Sequence, residues 1–370
     1  MKLIILKNNL RSGLDIVGRA VGANLNLPIL GNVLIKTIEN KIKISATNLE
    51  IAITAFVQGK IVEDGSITVP FSVLANITSN IPNERIDIEV KNNNLILKTD
   101  NYNASIQGLP ESDFPIIPEI KDGAESFEIN NSILKNSINK VVIAAGTNDL
   151  RPELNSVYLI VEPSSLKLVS TDSFRLAEFT ISGEQFKNNS ERGVKIILPL
   201  KTAEALYKVI KDEDDKTKFT IENNQILIES GGVGIVSRLI EGRFPDHEAI
   251  IPKEINTEVL VSRKELLNAL KLASSFTSRV KDIKIKIKDK KVIEIYSSDS
   301  SLGENNYLIP AKIKGENEEI VFNGKYLLDG AKSEDSDQIF LGLNGDNKPT
   351  LIKTPNNTSY FYILMPIKNS

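Results

Sequence analysis

The sequence predicts an α+β chain of three tandem modules, each with two helices packed on antiparallel sheets. Three observations predict it: a strand-then-helix opening that occurs three times, alternating strand pairs after each helix, and two aperiodic proline-bearing stretches between modules. The openings are LIILKNNLRSGLDIVGRAV from Leu3, FEINNSILKNSINKVVIAA from Phe127 and VLVSRKELLNALKLASSF from Val259, spaced 124 and 132 residues apart.

Each opening helix leads into a strand pair closed by a similar turn: KISATNLEIAI (Lys43 to Ile53), KLVSTDSFRLAEF (Lys167 to Phe179) and EIYSSDSSLGENN (Glu294 to Asn306). A short strand and a second helix then restart the pattern at ITVPFSVLANI from Ile67, IILPLKTAEALYKVI from Ile196 and IVFNGKYLLDGAK from Ile320. Period-two strands follow, as in ERIDIEVKNNNLILKT and KFTIENNQILIES. Every module is therefore a β-α-β-β-β half written twice. The spacing predicts six helices, over 8–21, 70–81, 130–145, 199–211, 262–279 and 323–333. LPESDFPIIPE (Leu109 to Glu119) and EGRFPDHEAIIPKE (Glu241 to Glu254) read as linkers. Boundaries near 122 and 254 give domains 1–122, 123–253 and 254–370.

Composition removes most chemistry. Of 370 residues, 45 are Lys or Arg and 48 Asp or Glu, for a net charge of −3, with one His, two Met, no Cys and no Trp. Without cysteine there is no thiolate nucleophile, disulfide or zinc ribbon, and one imidazole cannot supply a multi-histidine metal site. No cofactor and no metal are expected. MKLIIL turns polar at Lys7, and the late apolar run from Tyr360 to Ile367 is far too short to cross a bilayer, so a soluble cytoplasmic protein without a membrane partner is expected. GGVGIVS (Gly231 to Ser237) lacks the ending of a phosphate loop and reads as a hairpin turn. KDEDDK (Lys211 to Lys216) lacks calcium-loop spacing and reads as a solvated helix end. His247 has no partner imidazole and is expected to face water in its linker.

The charge is unevenly distributed. The six helices hold thirteen basic residues, including Arg263 and Arg279, against four acidic ones, so the rest of the chain carries −12. Lys201/Lys208, Lys264/Lys271 and Lys325/Lys332 are each seven apart, on one face of their helix. A solvated face collects lysine for solubility, and that reading serves any one helix. Repetition over five helices of six, with 70–81 uncharged, favours a common polyanion. Twelve such helices from two chains, each about 10 Å across, would enclose a hole of roughly 30 Å, wide enough for a duplex.

Eight stretches, in order and at module spacing, carry a resemblance: NLPILGN (Asn26 to Asn32), ATNLEIAI (Ala46 to Ile53), LPESDFP (Leu109 to Pro115), RPELNSV (Arg151 to Val157), STDSFRLA (Ser170 to Ala177), EGRFPD (Glu241 to Asp246), FNGKYLLDGA (Phe322 to Ala331) and LMPIK (Leu364 to Lys368). Over its full length the chain resembles the bacterial DNA polymerase sliding clamps, the β subunits of DNA polymerase III. The resemblance implies three clamp-like domains of the processivity fold forming half of a closed ring. It further implies a non-catalytic, head-to-tail homodimer around double-stranded DNA, bound without sequence specificity. Its implied partners are the polymerase III catalytic subunit, the clamp loader and other proteins with a clamp-binding motif.

Carried over by position, the family's partner-peptide cleft comprises Leu154, Thr171, Ser173, Phe174, Arg175, Leu176, Pro245, Ile250, Asn323, Tyr326, Ile363, Leu364, Met365, Pro366 and Ile367. Its aliphatic walls and flexible Met suit apolar anchors of an extended peptide, with Arg175 and Asn323 expected to supply hydrogen bonds. Leu154, Leu176 and Ile363 also read as plain core when taken singly. The DNA-facing set is Arg11, Arg19, Lys135, Lys140, Lys201, Lys208, Lys211, Lys264, Lys271, Lys325 and Lys332. Dimer contacts are expected near Asn101 to Gln107 and Leu272 to Arg279, with Ala104, Ile106, Leu272 and Phe276 as apolar surface. The chain departs from the family pattern at Phe174, where many members carry His, and at Asn24 and Asn26, where a basic residue is common. Two other readings stay open: a β-rich assembly scaffold whose lysines only solubilise it, and a clamp paralogue that closes no ring.

Overall fold

The computed structural model describes residues 1–22, 26–120, 125–148, 150–188, 193–211 and 216–368. The expected boundary at 122/123, Asn24 and residues 212–215 of the acidic KDEDDK run lie outside these.

Each repeat follows the anticipated order. The first contains β1 (Lys2–Leu6), α1 (Lys7–Val17), β2 (Asn32–Ile38), β3 (Lys41–Thr47), β4 (Ile51–Val57) and β5 (Gly59–Glu63), then β6 (Ser66–Pro70), α2 (Phe71–Asn80), β7 (Arg85–Lys91), β8 (Asn94–Lys98) and β9 (Asn103–Gln107). The second contains β10 (Glu125–Asn130), α3 (Asn131–Val141), β11 (Ser156–Val161), β12 (Ser165–Thr171), β13 (Arg175–Ser182) and β14 (Phe186–Asn188), then β15 (Val194–Pro199), α4 (Leu200–Val209), β16 (Lys216–Glu222), β17 (Gln225–Ser230) and β18 (Val233–Arg238). The third contains β19 (Thr257–Ser262), α5 (Arg263–Ala273), β20 (Asp282–Ile287), β21 (Val292–Asp299) and β22 (Gly303–Lys314), then β23 (Glu319–Asn323), α6 (Gly324–Ser333), β24 (Gln338–Leu343), β25 (Thr350–Lys353) and β26 (Tyr360–Leu364). β22 runs unbroken where β4/β5 and β13/β14 are interrupted.

Local physics accounts for the helices. In α1 the buried residues Leu10, Gly13, Leu14 and Val17 recur at three- and four-residue spacing, the signature of one core-facing stripe. A Cβ at Gly13 would come within 2.6 Å of Val57, so glycine lets α1 approach β4 closely. The Ser262 hydroxyl caps α5 by accepting from the Glu265 amide, and Asn323 caps α6. α5 stops at Ala273 rather than running to 279. Ser274 Oγ donates back to Leu270 O at 2.7 Å, and after a short 3-10 turn the chain is extended at Thr277.

The strands form a five-stranded sheet β5-β1-β7-β8-β9, a nine-stranded sheet β14-β10-β16-β17-β18-β4-β3-β2-β6, and a twelve-stranded sheet β15-β11-β12-β13-β26-β25-β24-β19-β22-β21-β20-β23. The two larger sheets each span two repeats. β4 joins β18 with Ile51 opposite Ser237 and Ile53 opposite Ile235; β13 joins β26 with Arg175 opposite Leu364 and Ala177 opposite Tyr362. Sheet sharing explains why the chain clusters into two compact units, Met1–Lys135 with Lys187–Glu191 and Glu204–Leu239, and Asn136–Phe186 with Arg192–Ala203 and Ile240–Ser370.

Gly231 and Gly232 of GGVGIVS make the turn between β17 and β18, at φ 53° and 81°, and the rest of the stretch is β18 itself. His247 does not face water. It is buried 3.5 Å from the Glu178 carboxylate and edge-on to Tyr158 and Phe244, because the linker's Phe244 docks in a core cluster with Leu176 and Ile363. No helix among the described residues is long and apolar enough to cross a membrane.

Candidate functional site

The carried-over cleft residues gather in the second unit around the turn from Thr171 to Leu176. The Asp172 carboxylate accepts the amides of Phe174 (2.9 Å) and Arg175 (3.0 Å), and Thr171 Oγ1 donates to Arg175 O at 2.7 Å. Ser173 takes φ 77° at the apex. This turn pushes Phe174 outward, 62% exposed, and turns Arg175 inward.

The Arg175 guanidinium donates to Asp172 (2.9 Å) and Asp329 (2.8 Å) and lies 4.1 Å from the ring centroid of Tyr326. Tyr362 donates to Tyr326 O at 3.0 Å, and burial pushes both phenols above their ordinary pKa, keeping them neutral. Asn323 Oδ1 accepts the amides of Lys325 and Tyr326 at the start of α6. Arg175 therefore holds internal carboxylates instead of standing ready as a peptide donor, which corrects the expectation for that residue, while Asn323 uses its side-chain oxygen to cap α6. They brace a wall.

On the other face of β13, Leu176 sits opposite Ile363, both buried with Ile160, Val169, Ile197 and Phe244. Leu154 and Leu364 are also buried, Leu364 on the Arg175 face of the strand, so these four are core and not rim. Pro245 is half-buried and Ile250 exposed on the linker. β26 ends where the Met365 amide donates to Phe174 O at 2.8 Å; Pro366 has no amide to continue the ladder, and Met365, Pro366 and Ile367 stay half-buried. The result sets an exposed aromatic, Phe174, beside a half-buried thioether, Met365, at the end of β26.

Sequence reasoning missed Asp172, Asp329 and Tyr362, the partners that seat Arg175 and Tyr326. The Asp-x-x-Arg spacing of the turn and the three-residue step from Tyr326 to Asp329 on α6 were the available signals. It also passed over Leu150, 87% exposed beside Arg151, whose Nη1 reaches Ser173 Oγ at 3.4 Å.

Among the proposed DNA-facing residues, Arg11, Arg19, Lys201, Lys208, Lys211, Lys264, Lys271, Lys325 and Lys332 are exposed, and Lys135 is half-buried 5.7 Å from the Tyr207 ring centroid. Lys140 is a correction. It is 5% exposed, paired to Asp335 at 2.6 Å and 4.8 Å from the Tyr360 ring centroid, so it supports packing and is withheld from solvent. Arg263 donates to Ala331 O and Lys332 O, complementing the carbonyl end of α6.

Of the expected dimer residues, Leu272 is exposed and Phe276 and Ala104 are half-buried. Ile106 is 5% exposed, facing the core opposite Leu95, and offers no apolar surface. The period-two alternation of β9 points it inward.

Family models for the DNA polymerase III beta subunit match the N-terminal domain over residues 1–118, the central domain over 128–246 and the C-terminal domain over 248–368. The chain belongs to the DNA polymerase III beta subunit family. It is 29% identical over 380 residues to the beta sliding clamp of Bacillus subtilis, covering 100% of both chains, and 27% identical to that of Streptococcus pneumoniae, covering 99% of both. The crystal structure of the Bacillus subtilis sliding clamp superposes with TM-score 0.93 at 29% identity, and that of a Pseudomonas aeruginosa clamp bound to griselimycin with TM-score 0.94 at 26% identity, each covering 100% of both chains. The three repeats are thus the three domains of a sliding clamp. Its Thr171 turn lies in the central domain; Asn323, Tyr326 and Met365 lie in the C-terminal one.

Proposed function

We propose that two copies of this sliding clamp, each with domains 1–122, 123–253 and 254–370, close head to tail into a ring that encircles duplex DNA without reading its sequence. The observation that carries this reading is a pair of open strand edges. In both internal joins, the strand that ends a repeat (β18 or β26) pairs with the fourth strand of a neighbouring repeat's first half (β4 or β13). The remaining counterparts are β9, at the end of its sheet, and residues 303–308 of β22, which pair only with β21. Neither edge is covered within the chain among the described residues, and an open edge is a template for pairing.

Setting these edges in the register of the internal joins places Ala104 opposite the partner's Asn305, Ser105 opposite the partner's Glu304 and Asn103 opposite the partner's Asn306. Hydrogen-bond phase agrees. The amides of Thr99 and Gly108 bond to Tyr102 O and Asn93 O, so the alternate residues Asn103 and Ser105 point their polar groups away from β8. Backbone pairing replaces the side-chain patch that Ile106 does not supply.

In this reading the exposed helix cations meet phosphates, and threading retains the ring. The groove around Phe174 and Met365 tethers short apolar segments of the polymerase III catalytic subunit, the clamp loader and other clamp-binding proteins in the cytoplasm. The clamp itself performs no bond chemistry. The test is retention on DNA after loading. Circular duplex should hold the protein and a single linearising cut should release it, whereas equal retention on both forms would refute encirclement.

A further inference from the structure

The turn that builds the groove in the second unit is repeated in the first. Asn48 Oδ1 accepts the amides of Glu50 (3.0 Å) and Ile51 (2.9 Å), Thr47 Oγ1 donates to Ile51 O at 3.0 Å, and Leu49 takes φ 77°. The Arg238 amide donates to Glu50 O at 3.0 Å, as that of Met365 does to Phe174 O at 2.8 Å. A linker crosses here too, and a cavity of about 160 Å³ lies between its Ile116 and Pro118, the turn, and Val236 of β18.

The side chains differ in kind. Glu50 replaces Phe174, Ile51 replaces the braced Arg175, and Arg238 replaces Met365. Leu49 is exposed and Ile116 is 95% exposed, so the walls are apolar and open. Gln225 and Arg238 lie opposite each other in the β17–β18 ladder, which stands an amide beside an exposed guanidinium on one wall. Among the described residues that guanidinium has no hydrogen bond or ion pair. An amide beside a guanidinium is a donor set for a carboxylate.

We propose that this cavity is a second peptide-docking site, taking an extended segment of a partner protein that places one aliphatic side chain in the pocket beside an aspartate or glutamate on Arg238. The volume admits a single anchor, well below the size of a drug-like site. Glu50 also lines the cavity but is solvent-exposed, and the exchange of Met365 for Arg238 is what supplies a cation for an acidic segment. The inference rests on neither ring closure nor use of that groove.

The test uses the full chain, labelled with 13C at Ile and Val methyls and carrying Met365→Ala with Pro366→Ala to disable the groove. The probe is acetyl-Leu-Asp-Leu-amide, with acetyl-Leu-Lys-Leu-amide as the charge-reversed control. Saturable methyl shifts are expected at Ile51, Ile116 and Val236 with the acidic probe, and weaker binding with the basic one. Arg238→Glu should weaken the acidic probe about fivefold. Ile116→Ser, in the exposed linker, should weaken both probes without altering the remaining methyl spectrum. Shifts absent from all three residues, or affinity indifferent to probe charge and to Arg238→Glu, would overturn the proposal.

Discussion

The guanidinium of Arg175 donates to Asp329 at 2.8 Å, fastening the first residue of β13 to α6 from 154 positions along the chain. Asp172 is its second anion, at 2.9 Å. Removing Asp329 leaves a buried cation with one partner, and breaking such pairs is costly even where forming them is not stabilising. Asp329→Ala should cost about 2 kcal/mol in urea unfolding, less than a fully buried pair because Asp329 keeps some contact with water. A midpoint equal to that of the unsubstituted chain would show that the network does not brace the groove.

Charge reversal of Lys201, Lys208 and Lys264 to Glu should shorten retention on circular DNA and flatten its salt dependence by about 0.9 in the log–log slope for each phosphate no longer neutralised. Lys140→Ala should behave differently. Its ammonium is engaged by Asp335 and Tyr360, so the melting temperature should fall while the salt slope holds. Salt titration and thermal melts on the two variants separate these roles.

The absence of cysteine makes the proposed dimer register directly readable. Ala104 and the partner's Asn305 correspond to Ile235 and Ile53, a pair flanked by the bonded pairs Glu50/Arg238 and Phe56/Gly232 and hence itself non-hydrogen-bonded. Such pairs bring Cα atoms to about 4.5 Å, within disulfide reach. The Ala104→Cys, Asn305→Cys chain should form a covalent dimer on mild oxidation, seen by non-reducing electrophoresis. Ala104→Cys with Ser301→Cys, four positions out of register, should not.

Glu334 is buried, and that burial raises its carboxyl above the ordinary value against the hydrogen bond it accepts from Thr354 at 2.7 Å. A native pKa above the unfolded one means folding favours the protonated form. The contribution is complete below the unfolded value and is lost as pH rises through the native value. Glu334→Gln, which keeps an acceptor for Thr354 and removes the titration, should therefore gain stability relative to the unsubstituted chain as pH rises from the ordinary carboxylate range toward neutrality. Parallel pH profiles of the two melting temperatures would contradict this.

Much of the fold was legible because its signals are local. Period-two and helical periodicities act within one element, and a pattern repeated six times corrects itself where any copy is weak, as in uncharged α2. The positions of the groove residues were readable only through resemblance, and their roles were not. Arg175 looks like a free donor in a string of letters; in space it is held by Asp172 and Asp329.

By itself the sequence determined three duplicated β-α-β-β-β repeats, the helix positions to within six residues at their ends, the surplus of cations on five helices and the exclusion of cysteine chemistry. Tertiary structure decided which individual side chains meet water. Lys140 is covered because Tyr360 and Asp335 reach it from some two hundred residues away, His247 because Phe244 docks in the core and draws the linker down, and Ile106 because its strand turns that face inward. Burial of a single residue depends on what packs across from it, and periodicity within its own element carries no information about that neighbour.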